Sequence, residues 1–566
     1  MSWFDKSAFY HIYPLGFCGC PEANDFTSEP EHRILKVLDA IPHIKECGFN
    51  AVYFGPVFES SRHGYDTADY LTIDRRLGTN EVFKKVCDEF HKNNIKVVLD
   101  GVFNHVGRDF WAFKDVREHG FGSRYKDWFH VRDGGSPYGD PFFYEGWEGH
   151  YELVKLNLYN SDVKNYLKDC ITKWREMFGI DGLRLDVAYC LEENFLRELH
   201  GHCKWIADDF WLMGETLHGD YNRWMAPDKL DSVTNYECYK GLYSSFNDMN
   251  MFEIAHSLNR QFGKDQWCLY RGKNLYSFVD NHDVSRIATM LKTKEHLNPI
   301  YSLLFTMPGI PSVYYGSEYG IEGDKKHGDG ALRLPFELKA DTDLTRHIGR
   351  LAKLRTESDV LAYGSYNQLQ LMNKQYAFMR EHDSKRVVTV LNVEGAPFTF
   401  NLNIGGNFTN IFTGEKTDLN HPLNLPPYSS AVFAEDYEVK TERPAEKPHV
   451  EEKPQEVKHV EEKNQEVKHI EEKPQEAQLV EEKPREELPQ EEIHTEEKRC
   501  EEHSHIADEV QCEISGKDFA AWLIDTYTNL QRIISSDEPK KEAEYQLRAA
   551  AEKLKAMGVD TAKLDR

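Results

Sequence analysis

Along the first three hundred residues, short runs of β-branched and aromatic residues alternate with longer stretches whose apolar positions recur every three or four residues. The short runs predict eight strands, at Phe9–Leu15, Phe49–Val57, Lys96–Asn104, Gly182–Ala188, Phe210–Thr216, Ser232–Glu237, Leu275–Asp283 and Ile310–Gly316. Several are almost continuously apolar, as in AVYF and KVVL, the pattern of parallel strands covered on both faces. The longer stretches, such as Asn80 to Asn93 and Ser161 to Phe178, carry an apolar stripe at helical spacing. Eight strand–helix units predict an α/β fold, a (β/α)8 barrel over residues 1–355. An open doubly wound sheet alternates in the same way, but no glycine-rich dinucleotide fingerprint follows the first strand. Residues 106–156, rich in Gly, Asp and aromatics, predict an irregular subdomain inserted after the third strand and packed on the barrel mouth. From 356 to 437 the period changes to two. Runs such as Tyr376–Arg380, Arg386–Asn392 and Phe398–Asn403 predict a C-terminal antiparallel β-domain.

A ten-residue repeat follows: HVEEKPQEVK at 449, HVEEKNQEVK at 459, HIEEKPQEAQ at 469 and LVEEKPREEL at 479. Each copy has too few apolar positions for a core, so residues 438–512 predict a disordered or extended linker. Apolar periodicity returns at Phe519, Leu523, Tyr527, Leu530 and Ile534, and residues 513–566 predict a small helical hairpin. So short a unit is marginal by itself, which points to a protein partner or self-association.

Charge narrows the partners. The chain carries a formal net charge of −26. Residues 441–500 alone hold 19 acidic and 11 basic side chains and no Phe, Trp or Tyr. A negative excess of this kind argues against a nucleic-acid backbone or an anionic membrane as the main partner. The longest apolar stretch, Tyr301 to Tyr315, is broken by Pro308, Gly309 and Pro311, short of a membrane span. Eleven cysteines lack a framework spacing, and Cys18 and Cys20 give two thiols where a zinc site needs four ligands. The N-terminus has neither a basic segment nor a continuous apolar one. These features predict a reduced, cytoplasmic protein.

In a parallel barrel the reactive groups belong at the carboxyl ends of the strands. Four of those ends are crowded with polar groups: Asp100 to His105, Arg184 to Asp186, Gly214-Glu215 and Asp280 to Asp283. Arg184 and Asp186 lie two apart on one strand and so point the same way, toward the interior. A guanidinium beside a carboxylate favours the ionised form, which suits a nucleophile. Glu215, on the next strand, would lie near Asp186 and Asp283, where like charges keep one carboxyl protonated. An ionised carboxylate beside a protonated one is the requirement of retaining glycoside hydrolysis. A buried ion-pair network holding the barrel together is the alternative reading of the same residues.

These segments resemble the four signatures of the α-amylase family of retaining glycoside hydrolases: DGVFNH at 100–105, GLRLDVA at 182–188, GET at 214–216 and FVDNHD at 278–283. The likeness extends over about residues 9 to 436. It implies that Asp186 is the nucleophile, Glu215 the general acid/base and Asp283 the carboxylate that stabilises the transition state. Asp100, His105, Arg184 and His282 match the supporting set around the sugar that is cleaved. Tyr65, in Gly64-Tyr65-Asp66, resembles the tyrosine that stacks on that sugar, and Asp329 and Arg333 resemble a pair that binds hydroxyls of the non-reducing ring. The Lys-His that many members carry after the nucleophile is replaced by Tyr189 and Cys190, which implies a different leaving-group side. Val154 to Asn157 resembles the neopullulanase and cyclomaltodextrinase branch, although the first strand begins near residue 9, without room for that branch's N-terminal domain. Asn104 matches a position that ligates structural calcium in many relatives. The resemblance thus implies hydrolysis of α-1,4 and some α-1,6 bonds in soluble α-glucan oligosaccharides, with no required cofactor. A transglycosylase or isomerase on the same scaffold, and a non-catalytic relative, are the alternatives.

Overall fold

The computed structural model describes residues 2–438. Its eight short parallel strands are β1 (Phe9–Ile12), β2 (Ala51–Phe54), β3 (Lys96–Gly101), β4 (Gly182–Leu185), β5 (Trp211–Gly214), β6 (Ser232–Val233), β7 (Tyr276–Ser277) and β8 (Ile310–Tyr314). They pair in the order β6-β5-β4-β3-β2-β1-β8-β7. A parallel bridge from Thr234 to Tyr276 joins the two ends, where the Asn235 N–H donates to the Tyr276 carbonyl at 2.8 Å. The predicted barrel is what these residues form.

Every strand is shorter than its apolar run. Pro14 opens a short helix, Pro14–Phe17, directly after β1. Asn235 stops β6 after two residues because its side chain caps the helix Tyr236–Asn247, accepting the Cys238 N–H at 3.0 Å. The residues trimmed from the strand ends become the loops of the barrel mouth. Between strands, the helix Asn80–Lys92 buries Val82, Phe83, Val86, Cys87 and Phe90 along one stripe. The helix Ser161–Phe178 starts at Asn160, whose side chain accepts the Asp162 N–H at 2.8 Å, and stops at Gly179, φ +72°.

The barrel interior has an apolar floor and a polar ceiling. Phe9, Ala51, Tyr53, Val98, Trp211, Met213, Tyr276, Phe278 and Ile310 pack together, with Trp211 stacked on Phe9 at 4.9 Å between ring centroids. One layer above, the side chains change to His11, Asp100 and Arg184, all buried. That layer lies at the carboxyl end of the strands.

The insertion is more regular than its composition suggests. It contains a helix, Trp111–His119, and a three-stranded antiparallel sheet in which His150–Lys155 lies between His105–Gly107 and Gly146–Trp147. Buried Phe110, Phe113, Phe129 and Tyr144 form its own aromatic core, which an expectation of irregular structure missed. The C-terminal β-domain is a six-stranded antiparallel sheet in the order Ser365–Leu371, Gln375–His382, Lys385–Asn392, Ser429–Glu435, Ile404–Asn410 and Lys416–Leu419. The predicted strand at Phe398–Asn403 shrinks to Phe398–Phe400 and pairs with Leu423–Leu425 in a separate ribbon. Asn403 takes φ +55° and cannot continue it. The repeat and the helical hairpin lie outside the described residues. Among the described residues no helix is long and apolar enough to cross a membrane, and nine cysteines are free thiols, six of them buried.

Arg380 fastens this sheet to the barrel. Its guanidinium is buried and has no carboxylate among its hydrogen-bond partners. It donates to the carbonyls of Thr306 at 3.1 Å, Leu361 at 3.1 Å and Gly364 at 2.9 Å. Arg380→Ala therefore leaves several buried carbonyls without donors, and we expect it to lower unfolding free energy by about 3 kcal/mol or more. Urea denaturation of the two proteins measures it; a loss below 1 kcal/mol (roughly one ordinary hydrogen bond) would contradict the fastening role.

Candidate active site

Arg184 organises the ceiling. It pairs with Asp100 across β4 and β3, and its Nη1 donates to Asp100 Oδ1 at 2.9 Å and to Asp186 Oδ1 at 2.8 Å. Its Nη2 lies 2.9 Å from Glu215 Oε2. One buried cation thus serves three buried carboxyl groups. Asp100 also accepts from the hydroxyls of Tyr53 at 2.6 Å and Tyr65 at 3.1 Å. Glu215 accepts the Val187 N–H at 3.1 Å and the Tyr236 hydroxyl at 3.5 Å. Val187 has φ +38° and ψ +48°, which β-branched residues rarely adopt, so the backbone next to Asp186 is strained.

A second cluster faces the first. His282 Nε2 lies 2.9 Å from Asp283 Oδ2 and is hydrogen-bonded to the Tyr65 hydroxyl. The Tyr65 ring stacks on the His282 ring at 5.5 Å. Arg333 Nη2 donates to Asp283 Oδ1 at 2.8 Å and lies 3.1 Å from Asp329 Oδ2, while its Nε donates to the His282 carbonyl at 3.1 Å. Between the clusters runs a cleft of about 570 Å³ lined by Tyr65, His105, Asp186, Glu215, Asp283, Asp329 and Arg333. Asp100, Arg184 and His282 stand directly behind that lining, bonded to it. All ten predicted site residues therefore meet at one cleft.

The comparisons with known proteins agree with this geometry. The model of the α-amylase catalytic domain matches residues 35–350. A cyclomaltodextrinase from a Bacillus species is 32% identical over 425 residues, which is 70% of this chain and 74% of the relative. Neopullulanase 2 of Thermoactinomyces vulgaris is 32% identical over 473 residues, 76% of this chain and 78% of the relative. Among solved structures, the ligand-free cyclic α-maltosyl-(1→6)-maltose hydrolase of Arthrobacter globiformis superposes with a TM-score of 0.66 at 28% identity, covering 77% of this chain and 100% of that one. The chain belongs to the α-amylase family.

It is thus a glycoside hydrolase. Among the further residues that line the α-amylase-type cleft, sequence reasoning missed His63, Trp147, Glu148 and Tyr236. Tyr236 falls inside the run read as a strand, yet it begins a helix. Trp147 sits in the insertion, where its pairing with His150 across a tight turn supplied no local sign of proximity to the barrel.

Electrostatics correct one expectation. Burial, with the neighbouring Glu215 and Asp100 charges, pushes the Asp186 carboxyl well above the usual carboxylate range, against the pull of Arg184. A guanidinium divided among three carboxyls does not offset the burial of Asp186. At the opposite cluster, enclosure works against the charge on Asp283, but His282, Arg333 and Arg184 prevail and hold its carboxyl well below the usual range. Burial pushes the His105 imidazole down to about 3, so it is neutral at pH 7. The Asn104 amide nitrogen lies 3.1 Å from His105 Nδ1, and His105 Nε2 lies 3.7 Å from Asp186 Oδ2. Asn104 is therefore directed at a histidine. Among the described residues no three His, Cys, Asp or Glu side chains gather at one point.

The raised Asp186 carboxyl carries a stability consequence. Below its ordinary value of 3.8 both folded and unfolded chains hold the proton, and the group contributes nothing. Above that value the unfolded chain ionises freely while the folded site resists, so stability is lost as pH rises toward the raised value. Asp186→Asn should accordingly raise the melting temperature at pH 7, with the gain fading toward pH 4. A melting-temperature series from pH 4 to 8 measures it; an Asn variant less stable at pH 7 than the parent would contradict this balance.

Proposed function

We propose that the enzyme hydrolyses α-1,4- and α-1,6-glucosidic bonds in maltodextrin-like oligosaccharides with retention of anomeric configuration. Asp186 is the nucleophile, Glu215 the general acid and then base, and Asp283 the carboxylate that grips the ring being cleaved. The observation that carries this reading is the guanidinium of Arg184 bonded at once to Asp186 and to Glu215, which holds the two carboxyls side by side. In the productive state the proton for the departing oxygen sits on Glu215.

Asp186 attacks the anomeric carbon while Glu215 protonates the glycosidic oxygen, so the bond to the leaving sugar breaks as the Asp186 ester forms. Glu215, now ionised, takes a proton from water, whose oxygen displaces Asp186 from the same carbon. Two inversions give net retention. The ionised Asp283 faces the positive charge that develops on the ring, and Tyr65 offers it an aromatic face. Every step is carried by side chains of this chain.

The substrate class is supported by relatives named as cyclomaltodextrinase, neopullulanase and, in Bacillus subtilis, an intracellular maltogenic amylase that is 27% identical over 415 residues. That last name and the free thiols of the described region support a cytoplasmic location. The helical hairpin predicted at 513–566 is the segment we assign to a protein partner or to self-association.

Proton NMR of maltotetraose during the first turnovers should show the α-anomer of the new reducing end. Asp186→Asn should lower kcat by about 10⁴-fold or more with the fold retained. Release of the β-anomer first would remove Asp186 from the nucleophile role.

A further inference from the structure

On the side of the cleft where the Glu215 charge acts on the Tyr189 hydroxyl, two separate parts of the chain meet. One is the loop after β4, bearing Tyr189; the other is the tip of the insertion hairpin, bearing Trp147 and Glu148. The Tyr189 hydroxyl donates to Glu148 Oε1 at 3.3 Å, joining the two across the cleft. Because Asp283 and Arg333 hold the ring that is attacked, and Glu215 must face the oxygen that departs, this side is where the leaving sugar lies.

Glu148 is held there by an unusual backbone. Gly146–Trp147 and His150–Lys155 are antiparallel strands with Trp147 opposite His150, so only Glu148 and Gly149 form the turn. Both have positive φ, +47° and +88°, as in a type I′ turn. Gly and Asn suit the first of those positions, and a glutamate there is strained. The hairpin is also tight at its base, where a Cβ on Gly146 would come within 2.4 Å of the His150 carbonyl. The turn thus fixes the backbone of Glu148, and its exposed side chain accepts from the Tyr189 hydroxyl.

We propose that Glu148, positioned by Tyr189, is a specificity-determining residue that accepts hydrogen bonds from the hydroxyls of the leaving sugar. The pair forms a clamp contributed half by the insertion and half by the barrel. A carboxylate suits this task, because it offers acceptors to adjacent sugar hydroxyls and turns away an apolar leaving group, which would strip its water without replacing it. Glu148 thereby favours a glucose unit over an aryl group on that side. The inference rests on Asp186 and Glu215 acting as proposed above, since they define which end of the cleft is which.

The test compares 4-nitrophenyl α-maltoside, whose leaving group has no sugar hydroxyls, with maltotetraose, in the full-length enzyme. Glu148→Ala should lower kcat/KM on maltotetraose about tenfold more than on the aryl maltoside, the scale of one lost charged hydrogen bond. Tyr189→Phe should move the ratio the same way by less, and Glu148→Asp should restore part of it. Glu148→Gly should do the same as Ala while its melting temperature stays level or rises, because the turn relaxes. Equal losses on both substrates, or none on either, would overturn the clamp in an enzyme that still releases the α-anomer. A parent enzyme that releases the β-anomer would overturn the catalytic assignment and the clamp together, and that is seen before any variant is made.

Discussion

A single buried guanidinium divided among three carboxyls is the constraint to which the site answers. Arg184 cannot neutralise Asp100, Asp186 and Glu215 at once, and an uncompensated charge in a dry interior costs several kcal/mol, on the order of 3–5 when one partner is missing. The response shows at Asp186, whose buried carboxyl is pushed well above the usual range and so keeps a proton more readily. A proton held within the cluster is what acid/base chemistry at a glycosidic oxygen needs. Strand register makes this possible. Arg184 stands opposite Asp100 on β3, Asp186 follows it by two residues, and Glu215 ends the neighbouring β5. Loss of the parallel register by one residue would turn each of these side chains away from the interior.

The same layering explains why the charges can lie so close to a core. Trp211 and its aromatic neighbours fill the lower barrel and exclude water from beneath the site. Tyrosine hydroxyls, histidines and a few backbone N–H groups then partner the carboxylates of the polar ceiling, while His11 Nε2, His105 Nε2 and His282 Nδ1 are buried without a hydrogen-bond partner. Val187 and Glu148, both with positive φ, mark the places where local comfort yields to placement: one beside the nucleophile, the other at the rim of the cleft. Such residues lower stability locally and are tolerated where a site gains from them.

Much of this was legible in the order of residues, because eight buried parallel strands leave continuous apolar runs and because the polar groups that end them stand out against those runs. Asp100, His105, Arg184, Asp186, Glu215, His282 and Asp283 were identifiable for that reason, whereas Tyr65, Asp329 and Arg333 lie in loops and were identifiable only through the resemblance to the family. What escaped notice depends on contacts distant in sequence. Tyr236 looks like part of a strand until Asn235 is seen to cap a helix. Trp147 and Glu148 lie in a segment rich in glycine and aromatics, whose approach to Tyr189 comes from the folding of the insertion over the barrel. The ionisation of Asp186 was misjudged from one neighbour, since proximity to Arg184 is visible in the spacing whereas burial and the competing claims of Asp100 and Glu215 are not.

The account stands or falls on a covalent bond between Asp186 and the sugar. With Glu215→Gln the ester should form from an activated donor, α-maltosyl fluoride, whose departing fluoride needs little protonation, and then persist because no base activates water. Peptide mass mapping after acid quench should place one added maltosyl unit on the peptide that contains Asp186. Fluoride release without that adduct, or an adduct on any other residue, would contradict the mechanism.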